Sequence, residues 1–218
     1  YTRDRGKISA IAKGVRRITS RKSGHVELFT RGSTTPTATN DDWPGSLAST
    51  FASVGAFAFT PGSKDAALGQ VLTGDFTVPA SGTGAGVILV EAYDTAGGTS
   101  ARLVNLSARN RVGTGDDILI AGFTLVGAGS KQVLIRAVGP TLTIFGVSGA
   151  LADPTLRVID AAGVTIASND NWAATLAPTF AQIGACPLTP ASRDAALLVT
   201  LPAGSTYTIQ VSGVSNTT

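Results

Sequence analysis

Apolar and polar residues alternate in many short runs along this chain, and glycine or proline separates most runs from the next. In the C-terminal half this pattern predicts strands over residues 102–107, 118–126, 131–138, 156–160, 164–167, 195–201 and 206–212. Ala161-Ala162-Gly163 and Pro202-Ala203-Gly204-Ser205 predict hairpin turns between neighbouring strands. A short helix, interrupted by Pro178, is predicted between Trp172 and Ile183. Many short strands at this spacing predict an all-β fold, an antiparallel and jelly-roll-like β-sandwich.

One long segment occurs twice. Asn40-Asp41-Asp42-Trp43 returns as Asn169-Asp170-Asn171-Trp172, and residues 55–68 return as 184–197. Both pairs lie 129 residues apart (172 − 43 and 184 − 55). A repeat of this length indicates a whole domain used twice. The aligned apolar pairs Phe51/Phe180, Val54/Ile183 and Leu68/Leu197 are predicted to lie in equivalent buried places of the two copies. We therefore predict tandem copies: a diverged and N-terminally incomplete first copy over residues 1–101, and a second copy over residues 102–218 that lacks its closing strand.

The two copies differ at their ends. The first copy closes on a strongly apolar strand, Val87 to Asp94, whereas Thr218 falls where the second copy would begin that strand. The second copy is thus expected to expose an apolar groove and an unpaired sheet edge, which aggregates or accepts a strand from another chain. Lys7 to Val15 is the predicted donor. Insertion of this segment into a second molecule would build a head-to-tail homopolymer.

The low charge content, the single cysteine and the absence of long apolar runs agree with the β-sandwich prediction and limit the possible sites. Charged residues make up 14% of the chain, below the roughly 25% of an ordinary soluble domain. Cys186 is the single cysteine and aligns with Phe57, so a core position that accepts either side chain is predicted. The sequence contains no run of about 18 apolar residues, so no membrane insertion is expected.

Charge is unevenly distributed. Residues 1–31 contain nine lysines and arginines against Asp4 and Glu27, a net charge of +7, and the remainder of the chain carries −4. A basic segment of this kind binds nucleic acid in some proteins. However, residues 6–15 resemble 130–139, and 26–29 fit the place of 156–159. Because aromatic residues for base stacking are not interleaved with the charges, we favour two diverged strands and expect no nucleic-acid partner.

Residues with catalytic potential are scattered. His25 is the one histidine, and Cys186 has no second thiol or histidine at metal-ligand spacing. Gly146-Val147-Ser148-Gly149 lacks the final glycine of a nucleophile elbow. Residues 82–86 (GTGAG) precede a strand and not a helix, so they do not form a phosphate cradle. The sequence therefore predicts no enzyme and no catalytic, cofactor-binding or metal residues.

The polar triplets Asn40/Asp41/Asp42 and Asn169/Asp170/Asn171 are the best candidate site, because both copies keep them. One interpretation is a Ca²⁺ site with oxygen ligands, joined by Asp153 or Asp160. The favoured interpretation is an Asx-turn or helix N-cap, with Asp41 and Asp170 as the capping residues.

Trp43 and Trp172 follow these triplets directly. They could serve as platforms on which sugar rings stack. The favoured interpretation is that each indole covers the edge of a hydrophobic core.

A family resemblance accompanies these motifs. The run LRVIDAAGVTIASNDNW (156–172), followed by DAALLVTLPAGSTYTIQVSG (194–213), resembles the bacterial pre-peptidase C-terminal (PPC-like) domain. The longer stretch from residue 102 is similar to a repeat module of large secreted or cell-surface proteins of environmental bacteria. The resemblance covers nearly all of 102–218 and, more weakly, 26–101. It implies a jelly-roll-like β-sandwich, secretion, and accessory or binding roles without catalysis.

Together these features predict a non-enzymatic, extracellular structural module that forms part of a bacterial surface fibre or stalk. Its expected partners are copies of itself. The alternative is a carbohydrate-binding or adhesin accessory module of a secreted protein, with a polysaccharide as its ligand.

Overall fold

The computed structural model describes the backbone of residues 7–14, and residues 24–82, 88–95 and 104–217. The fold is all-β, as predicted: every pairing between the described strands is antiparallel, and the described α-helices are two short ones. The chain divides into two compact units, unit 1 (Tyr1–Leu106) and unit 2 (Ser107–Thr218).

The described strands of unit 1 form two small sheets. Its strands are β1 (Lys7–Gly14), β2 (Gly24–Thr30), β3 (Ala38–Asn40), β4 (Ala66–Val71), β5 (Phe76–Thr77), β6 (Ala80–Gly82) and β7 (Ile88–Asp94). Helix α1 (Ala48–Ser53) follows a 3-10 turn, Gly45–Leu47. One sheet has the order β4-β1-β7, and the other has β3-β2-β5 with β6 also paired to β2. A buried cluster of Val26, Leu28, Ala66 and Leu68 joins β2 to β4.

Unit 2 has a similar plan. Its strands are β8 (Leu119–Leu125), β9 (Ser130–Ala137), β10 (Pro154–Ile159), β11 (Thr165–Asn169), β12 (Ala195–Pro202) and β13 (Ser205–Gly213). Helix α2 (Ala177–Gln182) follows the 3-10 turn Ala174–Leu176, and further 3-10 turns span Pro140–Phe145 and Val214–Asn216. The sheets have the orders β11-β10-β13-β8 and β12-β9. The main core takes Ile135 and Leu201 from one sheet and Leu156, Val158 and Tyr207 from the other.

Strand pairing follows the same register in the two units. Ala12 pairs with Ala66 in unit 1, and Ala137 pairs with Ala195 in unit 2, where Ala66 and Ala195 are 129 residues apart (195 − 66). In the same way β2 pairs with β3, and β10 with β11. Strand β1 is therefore the counterpart of β9, β2 of β10, β3 of β11 and β4 of β12.

The predicted hairpin at Ala161-Ala162-Gly163 is confirmed, since β10 and β11 pair across it. Asp160 Oδ1 accepts hydrogen bonds from the backbone N–H groups of Ala162 and Val164, both at 2.9 Å. Gly163 has φ = 81°, a left-handed conformation that glycine adopts without steric cost.

The second predicted hairpin, at residues 202–205, is wrong. Strands β12 and β13 follow one another in sequence but belong to different sheets. The turn bonds instead to β8 and to the loop after it: Gly204 N–H donates to the Leu125 carbonyl at 2.7 Å, and Ala203 N–H to that of Gly129 at 2.9 Å. The chain thus crosses from one sheet to the other at this point.

Two further local predictions need correction. Residues 104–107, the described part of the predicted strand 102–107, do not form a strand. Pro178 does not interrupt the helix but lies in the first turn of α2, where its missing N–H has no intrahelical partner to lose.

Phe51 and Phe180 are each 2% exposed, which confirms that these aligned residues are core positions. Leu68 is buried and Leu197 is partly buried. Val54 is only half-buried and Ile183 is 59% exposed, so the predicted burial of that pair is wrong. Both residues immediately follow a helix and end it, which places them on the way out of the core.

The predicted core position of Cys186 is also wrong. Cys186 is exposed, and the aligned Phe57 is 61% exposed. The next apolar pair along the loop occupies the core instead: Phe59 packs beside Phe51, and Leu188 beside Phe180.

Candidate functional site

The aligned asparagines form the same two contacts in each unit. Asn40 Nδ2 donates to the Asp42 carbonyl at 2.8 Å, and Asn40 Oδ1 accepts from Ala67 N–H at 2.9 Å. The equivalent bonds in unit 2, Asn169 to Asn171 and Ala196 to Asn169, have lengths of 2.8 and 2.9 Å. The asparagine amide therefore fixes the backbone bend that follows it and links this bend to strand β4 in unit 1 or β12 in unit 2.

The predicted helix caps at Asp41 and Asp170 are wrong. Both residues are exposed, and neither α1 nor α2 has a side-chain cap. The reason is the 3-10 turn before each helix, which moves the helix start several residues beyond the aspartate. Among the described residues, no three or more His, Cys, Asp or Glu side chains are grouped so that they could hold a metal ion.

Each tryptophan covers a hydrophobic cluster, as predicted. The Trp43 ring lies 5.6 Å from Phe51 and 5.7 Å from Phe59, and the Trp172 ring lies 5.5 Å from Phe180. Backbone bonds fix both residues, because Trp43 N–H donates to the Asp65 carbonyl and Trp172 N–H to the Asp194 carbonyl, each at 2.9 Å.

Asp194 is the polar centre of unit 2, and sequence reasoning missed it. The residue is 0% exposed. Its carboxylate accepts hydrogen bonds from the backbone N–H of Gly139 at 2.7 Å and of Thr141 at 3.3 Å. The hydroxyls of Thr141 and Ser192 donate to its Oδ2, the latter at 2.5 Å. A buried carboxylate with this many donors is fully satisfied and locks the β9 exit to the start of β12.

A signal for Asp194 was present in the sequence. Both copies read Ser-(Lys/Arg)-Asp-Ala-Ala-Leu, with Asp65 and Asp194 at the same place. In unit 1, Ser63 Oγ likewise donates to Asp65 Oδ2, at 2.7 Å. Gly139, which donates to Asp194, has no room for a side chain, because a Cβ there would collide with the Leu151 carbonyl oxygen.

Arg136 lies beside this network on β9. Its guanidinium stacks over the Phe180 ring at 5.1 Å and donates to the Cys186 carbonyl at 2.5 Å. Burial lowers the pKa of Arg136 from its ordinary value. A cavity of about 170 Å³ next to it is lined mainly by apolar residues, among them Trp172, Ala181 and Leu188.

The other sequence candidates have partners of their own. His25 Nε2 is 3.8 Å from Glu27 Oε1 on the same strand, and both side chains are about one-third exposed (37% and 34%). Asp160 holds the hairpin turn at the opposite end of β11 from Asn169, and Asp153 pairs with Arg193 at 2.7 Å.

Two glycine-rich candidates remain. Gly146 ends a 3-10 turn with φ = 75°, and no α-helix begins there, so residues 146–149 lack a nucleophile-elbow context. Residues 83–86 of the other glycine-rich stretch lie outside the described residues.

Comparisons with known proteins leave the family open. A family model described as "Recombination protein O N terminal" matches residues 1–42, which is less than half of the 218-residue chain. No curated protein matches the chain. Among solved structures, the VP2 subviral particle of infectious bursal disease virus aligns with 11% identity and a TM-score of 0.14. That alignment covers 96% of this chain and 52% of the viral chain, and at this TM-score it carries no argument about fold.

None of the helices in the part of the chain that the structure describes has the length and apolar character of a membrane span.

Proposed function

We propose that this chain is a non-enzymatic, extracellular structural module: two tandem β-sandwich copies that form one subunit of a bacterial surface fibre or stalk. The observation that carries the proposal is the recurrence of the same asparagine contacts at the same spacing in both units. In each unit these contacts join backbone segments of that unit. We call these two bonds of each asparagine the asparagine clamp. A clamp repeated in both units serves stability, which an extracellular structural module requires.

The polar chemistry of the described residues fits the same role. The Asp194 carboxylate, which accepts more hydrogen bonds than any other described carboxylate, accepts them all from groups of its own unit. The resemblance to PPC-like and cell-surface repeat modules adds secretion and binding without catalysis. We therefore expect the fibre to grow by head-to-tail contacts between identical molecules, through sheet edges.

Immunogold electron microscopy of source cells, with antibody raised against this chain, tests the proposal. Label along extracellular filaments with a repeat of one chain is the expected result. Antibody pre-absorbed with the purified chain is the control. Label confined to the cell interior would overturn the proposal.

A carbohydrate-binding role is the second candidate, favoured by the apolar cavity beside Trp172. Ala181→Arg would block this cavity without removing the core tryptophan, because Ala181 is exposed. Ala52→Arg, at the aligned and also exposed position of unit 1 (181 − 129), is the matched control. Polysaccharide pull-down that is lost in Ala181→Arg and retained in Ala52→Arg would establish this role in place of the first.

The match of residues 1–42 to a recombination-protein family model favours one further test, because the segment is basic. We keep the expectation of no nucleic-acid partner. Fluorescence polarisation with a labelled single-stranded oligonucleotide checks it. Binding that weakens steeply with salt would contradict the expectation, since phosphate contacts release counterions.

A further inference from the structure

One sheet of unit 1 carries an aromatic side chain on its outer face. Val26 and Leu28 of β2 are buried in the cluster that joins β2 to β4. Successive side chains of a strand point to opposite faces, so Glu27 and Phe29 lie on the face that points away from this cluster. Both are half-buried. The Phe29 ring is therefore available at the outside of the sheet.

Strand pairing surrounds this ring with polar groups. Phe29 lies opposite Thr77 of β5, so the two side chains share one face. Two residues further along β2, Arg31 N–H donates to the Asp75 carbonyl at 3.1 Å, which continues the same register. Their side chains also bond, with Arg31 Nη1 3.1 Å from Asp75 Oδ2. Ring, hydroxyl, guanidinium and carboxylate thus lie side by side.

These groups line a cavity of about 330 Å³, which we call the Phe29 cavity. This volume is at the lower end of the range of roughly 300–1,000 Å³ for ligand pockets. A tight turn forms its rim: Ser33 N–H donates to the Thr30 carbonyl at 3.0 Å, and Gly32 has φ = 77°. A rim that is ordered before a ligand arrives lowers the entropic cost of binding.

The charges of the Phe29 cavity favour a neutral ligand. Arg31 and Asp75 are the charged residues of its lining and sum to zero, so the cavity has no net charge to attract an ion of either sign. Their mutual bond uses one N–H group and one carboxylate oxygen. Both side chains are exposed, and among the described residues the pair has further donors and a second oxygen free for a ligand. A molecule with many hydroxyl groups can use these donors and acceptors together.

The Phe29 ring narrows the ligand further. A sugar ring has C–H groups on its face and hydroxyl groups around its edge. Its face can pack on an aromatic ring while its edge bonds to the charged pair and to Thr77, which combines an apolar contact with a few placed polar groups. An apolar peptide in the same place would leave the polar groups without partners, which is unfavourable.

Unit 2 has the same strands but not the same groups. Residues 26–29 correspond to 156–159, so Ile159 takes the place of Phe29. At the same spacing Ala161 takes the place of Arg31 (31 + 130). The ring and the guanidinium are therefore not needed for the fold, since unit 2 keeps the fold without them.

We infer that the Phe29 cavity binds a neutral saccharide, with the face of a sugar ring on Phe29 and its hydroxyl groups bonded to Arg31 and Asp75. The inference goes beyond the proposed structural role and does not depend on a fibre. The site also differs from the cavity beside Trp172, which belongs to unit 2 and is lined mainly by apolar residues.

A glycan array that carries neutral and anionic oligosaccharides, probed with the labelled full chain, is the first test. Retention on neutral glycans is expected. Their binding should change little with salt, because the site has no net charge. Retention on anionic glycans alone, or on no glycan, would overturn the inference.

Two substitutions then locate the site, with the neutral glycan that the array retains most strongly as the calorimetric probe. Phe29→Ile inserts the residue that unit 2 has at this position, so it is compatible with the fold. It should weaken binding at least about tenfold, which corresponds to about 1.4 kcal/mol. Asp75→Ala changes an exposed side chain and should also weaken binding about tenfold, because the sugar loses an acceptor.

The matched control is Ile159→Val, at the position of unit 2 that corresponds to Phe29, and it should leave the affinity unchanged. Ala181→Arg, which blocks the cavity beside Trp172, should also leave it unchanged. Circular dichroism checks that each variant folds. Full affinity in both Phe29→Ile and Asp75→Ala would overturn the site. Loss of binding in Ala181→Arg with none in Phe29→Ile would overturn it as well, since the glycan would then bind to unit 2.

The outcomes separate this inference from the proposed function. Glycan binding that is lost in the two unit 1 variants would support the site even if antibody labelled only the cell interior. Labelled extracellular filaments together with a chain that retains no glycan would support the fibre and overturn the site.

Discussion

The tryptophan clusters of the two units share a backbone frame but differ in how they use their side chains. In unit 1, Trp43 meets two phenylalanine rings, and its Nε1 is buried without a hydrogen-bond partner among the described residues. In unit 2, leucine replaces the second phenylalanine at position 188, and Trp172 Nε1 donates to Ser192 Oγ at 3.2 Å. Unit 1 therefore relies more on aromatic packing, and unit 2 more on polar contacts.

The difference shows which contacts the fold requires. Bonds that connect backbone to backbone, or the asparagine amide to backbone, have matching lengths in both units. Contacts between side chains are kept only in part. The Ser63–Asp65 and Trp43–Phe51 contacts recur in unit 2, whereas the Trp172–Ser192 bond and the Phe59 ring contacts each occur in one unit. A module that occurs twice can thus change some of its side-chain packing while the asparagine clamp is kept. The following predictions test this difference between clamp and packing.

The largest effect is expected at Asp194. Asp194→Ala would leave the buried N–H groups of Gly139 and Thr141 without acceptors, at about 1–3 kcal/mol each, so unit 2 should lose about 3 kcal/mol or more of stability. Urea unfolding in a Trp43→Phe background, where Trp172 alone reports on unit 2, measures the loss. Asp170→Ala, an exposed aspartate in the same unit, is the control and should change stability by under about 0.5 kcal/mol. An equal effect of the two substitutions would refute the central role of Asp194.

The next effect compares the two clamps directly. Asn40→Ala and Asn169→Ala each remove one donor and one acceptor, and each should cost about 1–3 kcal/mol in its own unit. Because the bond lengths match, the two losses should agree within about 0.5 kcal/mol. Single-tryptophan backgrounds again separate the units. A large cost in one unit and none in the other would show that the clamp is not a shared requirement.

The clamp residues were predictable in place but not in role. Both copies keep Asn40 and Asn169, so the repeat alone identified them as a candidate site, and it identified Phe51 and Phe180 as core. The pattern favoured a helix cap because an Asx residue before a helix is the commonest local motif. The pattern did not predict the 3-10 turn before each helix, because the residues of these turns have no distinctive sequence motif.

Asp194 and the sheet order were harder to predict for a general reason. A charged residue next to Ser and Arg is typical of an exposed turn, and its burial depends on donors 53 and 55 residues away in the chain. Likewise the residues from Pro202 to Ser205 predict a turn, but they do not predict which strands β12 and β13 pair with. Local pattern determines the element, and long-range contacts determine its neighbours.

A smaller effect should separate the tryptophans. Trp172→Phe loses the bond to Ser192, whereas Trp43→Phe removes an indole N–H that has no partner among the described residues. Trp172→Phe should therefore cost about 1 kcal/mol more than Trp43→Phe. Calorimetry measures both, since these variants change the fluorescent reporter itself. A larger loss for Trp43→Phe would mean that ring packing outweighs the hydrogen bond.

Alkaline pH should affect unit 1 through Tyr93. Burial, and then Glu91, raise the pKa of Tyr93 from 10.0 to about 12. A raised pKa in the folded state favours the neutral phenol, so its contribution is fully present below pH 10 and is lost as pH rises through about 12. Tyr93→Phe should make the stability of unit 1 fall less steeply between these two values. The same titration read from Trp172 should be unaltered by the substitution, and a change there would contradict the assignment to Tyr93.

The smallest expected effect concerns calcium. Asn40 and Asn169 use both ends of their amides for backbone bonds, and the neighbouring Asp41 and Asp170 are exposed. The clamps thus need no ion, and EDTA should leave the melting temperature of the chain almost unchanged. A Ca²⁺-dependent rise of more than about 5 °C, of order 1–2 kcal/mol for a domain of this size, would overturn this account. The variants Asp41→Ala and Asp170→Ala would then locate the ion, because loss of the rise in one of them would assign it to that unit.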